Sequence, residues 1–174
     1  MSLGSRNPCK RGLWNEPRRG DRVMASTLVK LNVHLVFHVK STGIRMREND
    51  LERVFSYLGS IIRNIGGVPV QIGGMSDHIH ILLSLPKTIS LADFVRMIKA
   101  DSSKWIKTLD DYYLSFAWQE GYGAFSVSPS QMKNTINYIL QQQEHHKKRT
   151  FIEEYKLFLD AYGINYDERF AFKD

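Results

Sequence analysis

A single cysteine, Cys9, among 174 residues leaves no disulfide framework and no cysteine-based zinc site within one chain. A lone thiol fits a reducing compartment, and a cytoplasmic location is the expectation. Long apolar runs are also missing. None approaches the roughly 20 residues of a bilayer-crossing helix, so no membrane partner is expected. No segment has the apolar core of a secretory signal. There are no internal repeats and no low-complexity tract. A strong charge imbalance is lacking too. The formal charge is +6, but Arg6, Lys10, Arg11, Arg18, Arg19 and Arg22 against Glu16 and Asp21 put most of the excess in residues 1–23. Net charge by itself therefore argues little about partners.

Those first 23 residues also hold Gly4, Pro8, Gly12, Pro17 and Gly20 and show no periodicity. They read as a disordered basic leader or an expression-derived arm. Residues 24–174 read as one domain, long enough to bury a core, with a C-terminal helix from about 150. From Thr27 to Val39 the pattern alternates, with Val29, Leu31, Val33, Leu35 and Phe37 on one side, which describes a half-buried strand. His34 and His38 then read as solvated strand residues. Asn49 and Glu52 suggest a capping box for a helix that Gly66-Gly67 stops. Val68–Ile72 and Asp77–Leu85 read as strands. Ser90 and Asp93 open a helix with Phe94, Val95, Ile98, Trp105 and Ile106 inside. Leu114–Gln119 and Ala124–Val127 read as a strand pair. A helix is expected over Ser130–His146, and Thr150 with Glu153 begins a last one. Phe151, Tyr155, Phe158 and Leu159 are its packing face. Together these make an α+β fold, a ferredoxin-like antiparallel sheet with helices on one face and the other sheet face open.

Two stretches carry chemistry. In Asp77-His78-Ile79-His80-Ile81-Leu82, strand alternation sends Ile79 and Ile81 to the core and both imidazoles to the other face, close enough to share a metal. Asp77 should face away. In the Ser130–His146 helix, Met132, Ile136, Ile139 and Leu140 form one stripe. Tyr138 lies about 145° from the centre of that stripe at 100° per residue, and Gln142 and His145 share its side. Gln142 is a candidate third ligand. Two nitrogens plus oxygens suit Mg²⁺ weakly and Mn²⁺ better, and zinc is tolerated. A cation on a phosphate's non-bridging oxygens would give Tyr138 a task, attack on phosphorus to form a covalent phosphotyrosine.

With these residues in place the chain resembles the single-tyrosine HUH transposases of small bacterial and archaeal insertion sequences. His78-Ile79-His80 matches the histidine–bulky apolar–histidine signature, and Asn137–His146 resembles the tyrosine helix. Ile98–Lys104 and Trp118–Ser128 also look like stretches of that family, and the likeness runs from about Leu31 to Phe170. The resemblance implies His78, His80 and Gln142 as metal ligands, with His145 close enough to leave the third ligand open, and Tyr138 as nucleophile. It implies Mg²⁺ or Mn²⁺ as cofactor, a 5′-phosphotyrosine with a free 3′-OH, and single-stranded DNA with hairpin ends as substrate. It further implies a homodimer, and no small-molecule substrate. Lys99, Lys104, Lys147, Lys148 and Arg149 are candidate contacts to DNA phosphates. Tyr122 and Phe125 could stack on bases, with core packing the favoured reading.

Three other readings compete. A domesticated relative acting on repetitive extragenic palindromes would carry similar residues. A non-catalytic module could share the topology with RNA-recognition folds, but the aromatic pair of those folds is not evident on the strands. A zinc hydrolase would use the histidine pair and leave Tyr138 unexplained.

Overall fold

The computed structural model describes residues 27–41, 43–142 and 150–167. The leader at 1–23, the part of the 130–146 helix beyond Gln142 with His145 in it, and Lys147, Lys148 and Arg149 lie outside the described residues. The elements follow the order β1 (Leu31–His38), α1 (Leu51–Asn64), β2 (Val68–Gly74), β3 (His78–Leu85), α2 (Leu91–Ile106), β4 (Gly123–Ser126), α3 (Met132–Leu140) and α4 (Phe151–Ala161). The four strands form one antiparallel sheet in the order β2-β3-β1-β4. This is the α+β arrangement expected, an open antiparallel sheet of split βαβ connectivity. Among the described residues no helix is long and apolar enough to cross a membrane.

One sheet face carries the main core. Leu35 and Phe37 of β1 and Ile79, Ile81 and Leu83 of β3 meet Val54, Leu58 and Ile62 of α1 and Phe94, Val95 and Ile98 of α2. Each such side chain is worth about 1.5–3 kcal/mol on burial. Ser90 caps α2 as expected, its hydroxyl accepting from the Asp93 backbone N–H at 3.1 Å. Helix α1 departs from expectation. A 3₁₀ turn over Glu48–Asp50 precedes it, and the N-cap position falls to Asp50, without a side-chain cap bond. The Asp50 carboxylate instead accepts from the Tyr113 hydroxyl at 2.7 Å.

The second sheet face is also covered, which corrects the expectation of helices on one face only. Leu82, Val127 and Ile139 form one small cluster under α3, and Val36, Phe125 and Leu159 form another under α4. β1 is therefore buried on both faces in its middle rather than half-buried. The expected face of α3 is only partly right: Ile139 is buried, but Leu140 is 62% exposed. Helix α4 starts at the expected place, with a complete capping box between Thr150 and Glu153. The strand expected at Leu114–Gln119 does not form. Only Trp118 makes a bridge, to Val39. Phe116 and Trp118 alternate into the main core as strand residues would, but the indole donates to the Ser102 hydroxyl of α2 at 2.9 Å, and the segment packs without a ladder.

One glycine sets how closely α3 approaches. Gly73 of β2 pairs with His80. A Cβ there would lie 2.8 Å from both the carbonyl oxygen and Cγ2 of Ile139. The obstacle is partly backbone, so it cannot swing aside. Gly73→Ala should lower stability by about 1–3 kcal/mol and push α3, with Tyr138 on it, off the sheet. Urea denaturation reads the first effect, and unchanged stability would show that α3 does not dock this closely.

Candidate active site

β3 and β1 supply the floor of the site. His78 and His80 point to the α3–α4 side and are 0% and 1% exposed. Their rings lie perpendicular with centroids 5.1 Å apart. Asp77 does not face away as strand alternation suggests. It sits just before the first residue of β3, and its Oδ1 accepts from His78 Nδ1 at 2.7 Å. That bond holds the Asp77 carboxyl below its usual range, with Arg45 a smaller aid. A carboxylate only accepts, so it fixes the His78 proton on Nδ1 and leaves a lone pair on Nε2.

His78 Nε2 faces Gln142 Oε1 at 3.3 Å. The Gln142 amide nitrogen donates to Glu154 Oε1 of α4 at 3.1 Å. His78, His80 and Glu154 each offer a ligand atom within 4.8 Å of the others, all from buried side chains. Gln142 is 2% exposed and sits between them. This donor set fits a divalent cation: two imidazoles, a carboxylate and an amide oxygen. Burial raises the Glu154 carboxyl to about 7, with the nearby His78 acting in the opposite direction. A buried carboxylate asks for a positive partner.

Tyr138 lies in the same chain and against the same group. Its ring meets the His80 ring edge-on, with centroids 5.6 Å apart, and the Phe158 ring at 5.4 Å. Its hydroxyl is buried. Tyr138 and Gln142 thus share a helical side as the spacing predicts, but that side faces a covered sheet rather than solvent. Phe151 stacks on His78 at 4.6 Å, so α4 closes the site with both an acid and aromatic rings.

His34 corrects a second expectation. It is 2% exposed, and its Nε2 lies 3.0 Å from His80 Nδ1. Burial lowers its pKa to about 4, so the ring is neutral near pH 7. His38 remains half-buried at the rim, its Nδ1 bonded to the Val39 carbonyl at 2.7 Å. Among the DNA candidates, Lys99 is committed elsewhere. Its ammonium donates to the carbonyls of Gln119, Glu120 and Gly121, which uses its three protons on the loop entering β4. Burial lowers its pKa to about 8. Lys104 is exposed on α2, in the layer across the sheet from the histidines. Phe125 is core, and Tyr122 is 37% exposed.

Glu154 escaped the reading of the sequence. A signal was there: it falls three residues after Phe151 and four before Phe158, so an acid interrupts the apolar stripe of the last helix. His34 carried a weaker one, lying just before the apolar run Leu35-Val36-Phe37, both faces of which prove buried.

Comparison with known proteins follows the same lines. The model of the IS200-like transposase family matches residues 27–142. Two solved structures share the fold. A candidate transposase from Deinococcus radiodurans R1 is 21% identical, with a TM-score of 0.53, over 67% of this chain and 93% of its own. A REP-associated tyrosine transposase bound to a REP hairpin is 12% identical, with a TM-score of 0.53, over 70% of this chain and 72% of its own. A search of curated proteins found no significant match.

The buried acid makes a pH signature. The Glu154 carboxyl ionises at its ordinary 4.5 when the chain is unfolded and at about 7 when it is folded. The folded state therefore holds the extra proton between those values, and without metal stability should fall as pH rises from 4.5 to about 7, then level off. Glu154→Gln should flatten that slope. Melting temperature against pH in a chelator is the measurement, and an unchanged slope in the variant would show that Glu154 is not the group responsible.

Proposed function

Because the chain belongs to the IS200-like transposase family, we propose that it cuts and rejoins single-stranded DNA through a covalent phosphotyrosine on Tyr138, at a site built to hold Mg²⁺ or Mn²⁺. The observation that carries this reading is the phenol of Tyr138 packed on His80 beside a buried group of His78, His80, Gln142 and Glu154. His78, His80 and Glu154 would hold the cation, with the Gln142 carbonyl oxygen as a fourth donor. When bound, that cation neutralises the non-bridging phosphate oxygens and orients the phosphorus.

The chain's own residues do the rest. Asp77 keeps the His78 ring in one tautomer and one orientation. Gln142 ties the tyrosine helix to Glu154 through its amide N–H, and its carbonyl oxygen would meet His78 through the shared cation, so the nucleophile and the ligands would move as a unit. Tyr138 Oη bonds to phosphorus as the bond to the 3′-oxygen breaks. The phenol gives up its proton, the 3′-oxygen gains one, and the products are a 5′-phosphotyrosine and a free 3′-OH. Attack of another 3′-OH on the same phosphorus reverses the exchange and returns the phenol, so joining needs no external energy source. Phe158 and Phe151 screen the site from water, which protects the phosphotyrosine ester from hydrolysis. Helix α4 lies over the tyrosine, so entry of a DNA strand requires it to shift. Hairpin-ended DNA as the substrate is supported by the relative bound to a REP hairpin, and a homodimer by the family resemblance. Lys104, Lys147, Lys148 and Arg149 are the proposed phosphate contacts, with Lys99 able to join them only by leaving its carbonyls.

The test uses labelled single-stranded hairpin DNA with Mn²⁺ or Mg²⁺ and looks for an adduct that survives denaturing electrophoresis. Wild type should form one. Tyr138→Phe should bind DNA and form none, and His78→Ala should lose the adduct in both metals. An adduct persisting in Tyr138→Phe would remove this tyrosine from the reaction. DNA binding without adduct in wild type, in either metal, would favour a non-catalytic DNA-binding relative.

A further inference from the structure

We infer that His34 is a positioning residue that keeps the His80 proton on Nδ1 and so turns a lone pair at His80 Nε2 toward the cation. The inference rests on the metal reading above. β1 and β3 pair so that Val36 faces His80 and His34 faces Leu82. His34 and His80 are therefore diagonal neighbours on one sheet face, and their rings stack 26° from parallel with centroids 5.1 Å apart. The two rings also meet through their nitrogens, with His34 Nε2 3.0 Å from His80 Nδ1. Both side chains are almost wholly buried.

Two ring nitrogens at this distance share one hydrogen, and its place decides what the other end of His80 can do. With the hydrogen on His34 Nε2, His80 Nδ1 accepts and its own proton sits on Nε2, where it blocks a ligand bond. With the hydrogen on His80 Nδ1, Nε2 carries the lone pair. His78 meets the same requirement through Asp77, an acceptor with no alternative. His80 has an imidazole in that role. The two ligands are thus keyed by different partners, a carboxylate just before β3 and a histidine from the middle of β1. An outer partner of this kind typically contributes 10- to 100-fold to metal affinity.

Two measurements test this separately. In metal-free protein, long-range ¹H–¹⁵N correlation spectra report each histidine's tautomer. His80 should be the Nδ1–H form in wild type and lose that preference in His34→Phe, which keeps the ring and removes the acceptor. Calorimetric titration with Mn²⁺ should then show about 10- to 100-fold weaker binding in His34→Phe. His34→Gln should restore most of it, since an amide oxygen reaches a similar place to the imidazole Nε2. A purely structural role would leave Gln and Phe alike. Finding His80 as Nε2–H in wild type would overturn the inference, as would equal Mn²⁺ affinity in wild type and His34→Phe. If His34→Phe fails to fold, the wild-type tautomer and the His34→Gln affinity decide the matter. Wild type that takes no Mn²⁺, with His80 as the Nδ1–H form, would overturn the metal reading and the role toward the cation together, while leaving the hydrogen bond's direction established.

Discussion

Acceptors facing one another in a space closed to water set the terms for this protein. His78 Nε2, deprived of its proton by Asp77, looks at the Gln142 carbonyl oxygen, and the Glu154 carboxyl lies beyond the same amide. Groups of like polarity at such distances repel unless a positive centre joins them. Their burial raises the Glu154 carboxyl to about 7, a local cost that a proton or a bound cation would offset. Every element on this side of the sheet contributes to that confinement: β3 brings the histidines, the end of α3 the amide, and α4 the acid.

The two faces of the sheet consequently have different duties. The face under α1 and α2 is an unbroken apolar core, from Leu35 to Ile98. The face under α3 and α4 splits its apolar contacts into two small clusters, with the polar group between them. Stability is held by the first, so the second can afford buried imidazoles and an acid. Gly73 and the Thr150–Glu153 capping box then act as placement devices. One sets how near the tyrosine helix comes to the histidines, and the other sets where α4 begins, three residues before Glu154.

Membership in the IS200-like transposase family gives this arrangement its meaning. A phenol beside buried histidines could be mere packing, as a tyrosine on a helix usually is. Here the imidazoles, the phenol with its neighbouring amide, and the acid come from three separate segments and still meet on one chain. That convergence is harder to obtain by packing alone than any single contact. Lys99 illustrates the opposite case. A lysine in a motif that resembles a DNA-binding stretch proves to tie down a loop, because three carbonyls at the entry to β4 meet its three donors.

Periodicity within one segment determined a good deal. It placed the His-x-His pair on one strand face, Tyr138 and Gln142 on one helix side, and the caps of α2 and α4, because such patterns are set by residues within a few positions of one another. Periodicity does not say which other element lands on a face. Only the tertiary structure turned α3 and α4 onto the histidine side, buried His34, brought Asp77 back to His78 and inserted Glu154 from a helix more than seventy residues away in the chain. It also limited Leu114–Gln119 to one bridge, Trp118 to Val39, with backbone bonds to His38 and Lys40, although its alternation is that of a strand, since β1 ends at His38. Faces belong to the sequence; what meets across them is decided by packing over long separations, where hydrogen bonds and buried area from distant segments outweigh local preference.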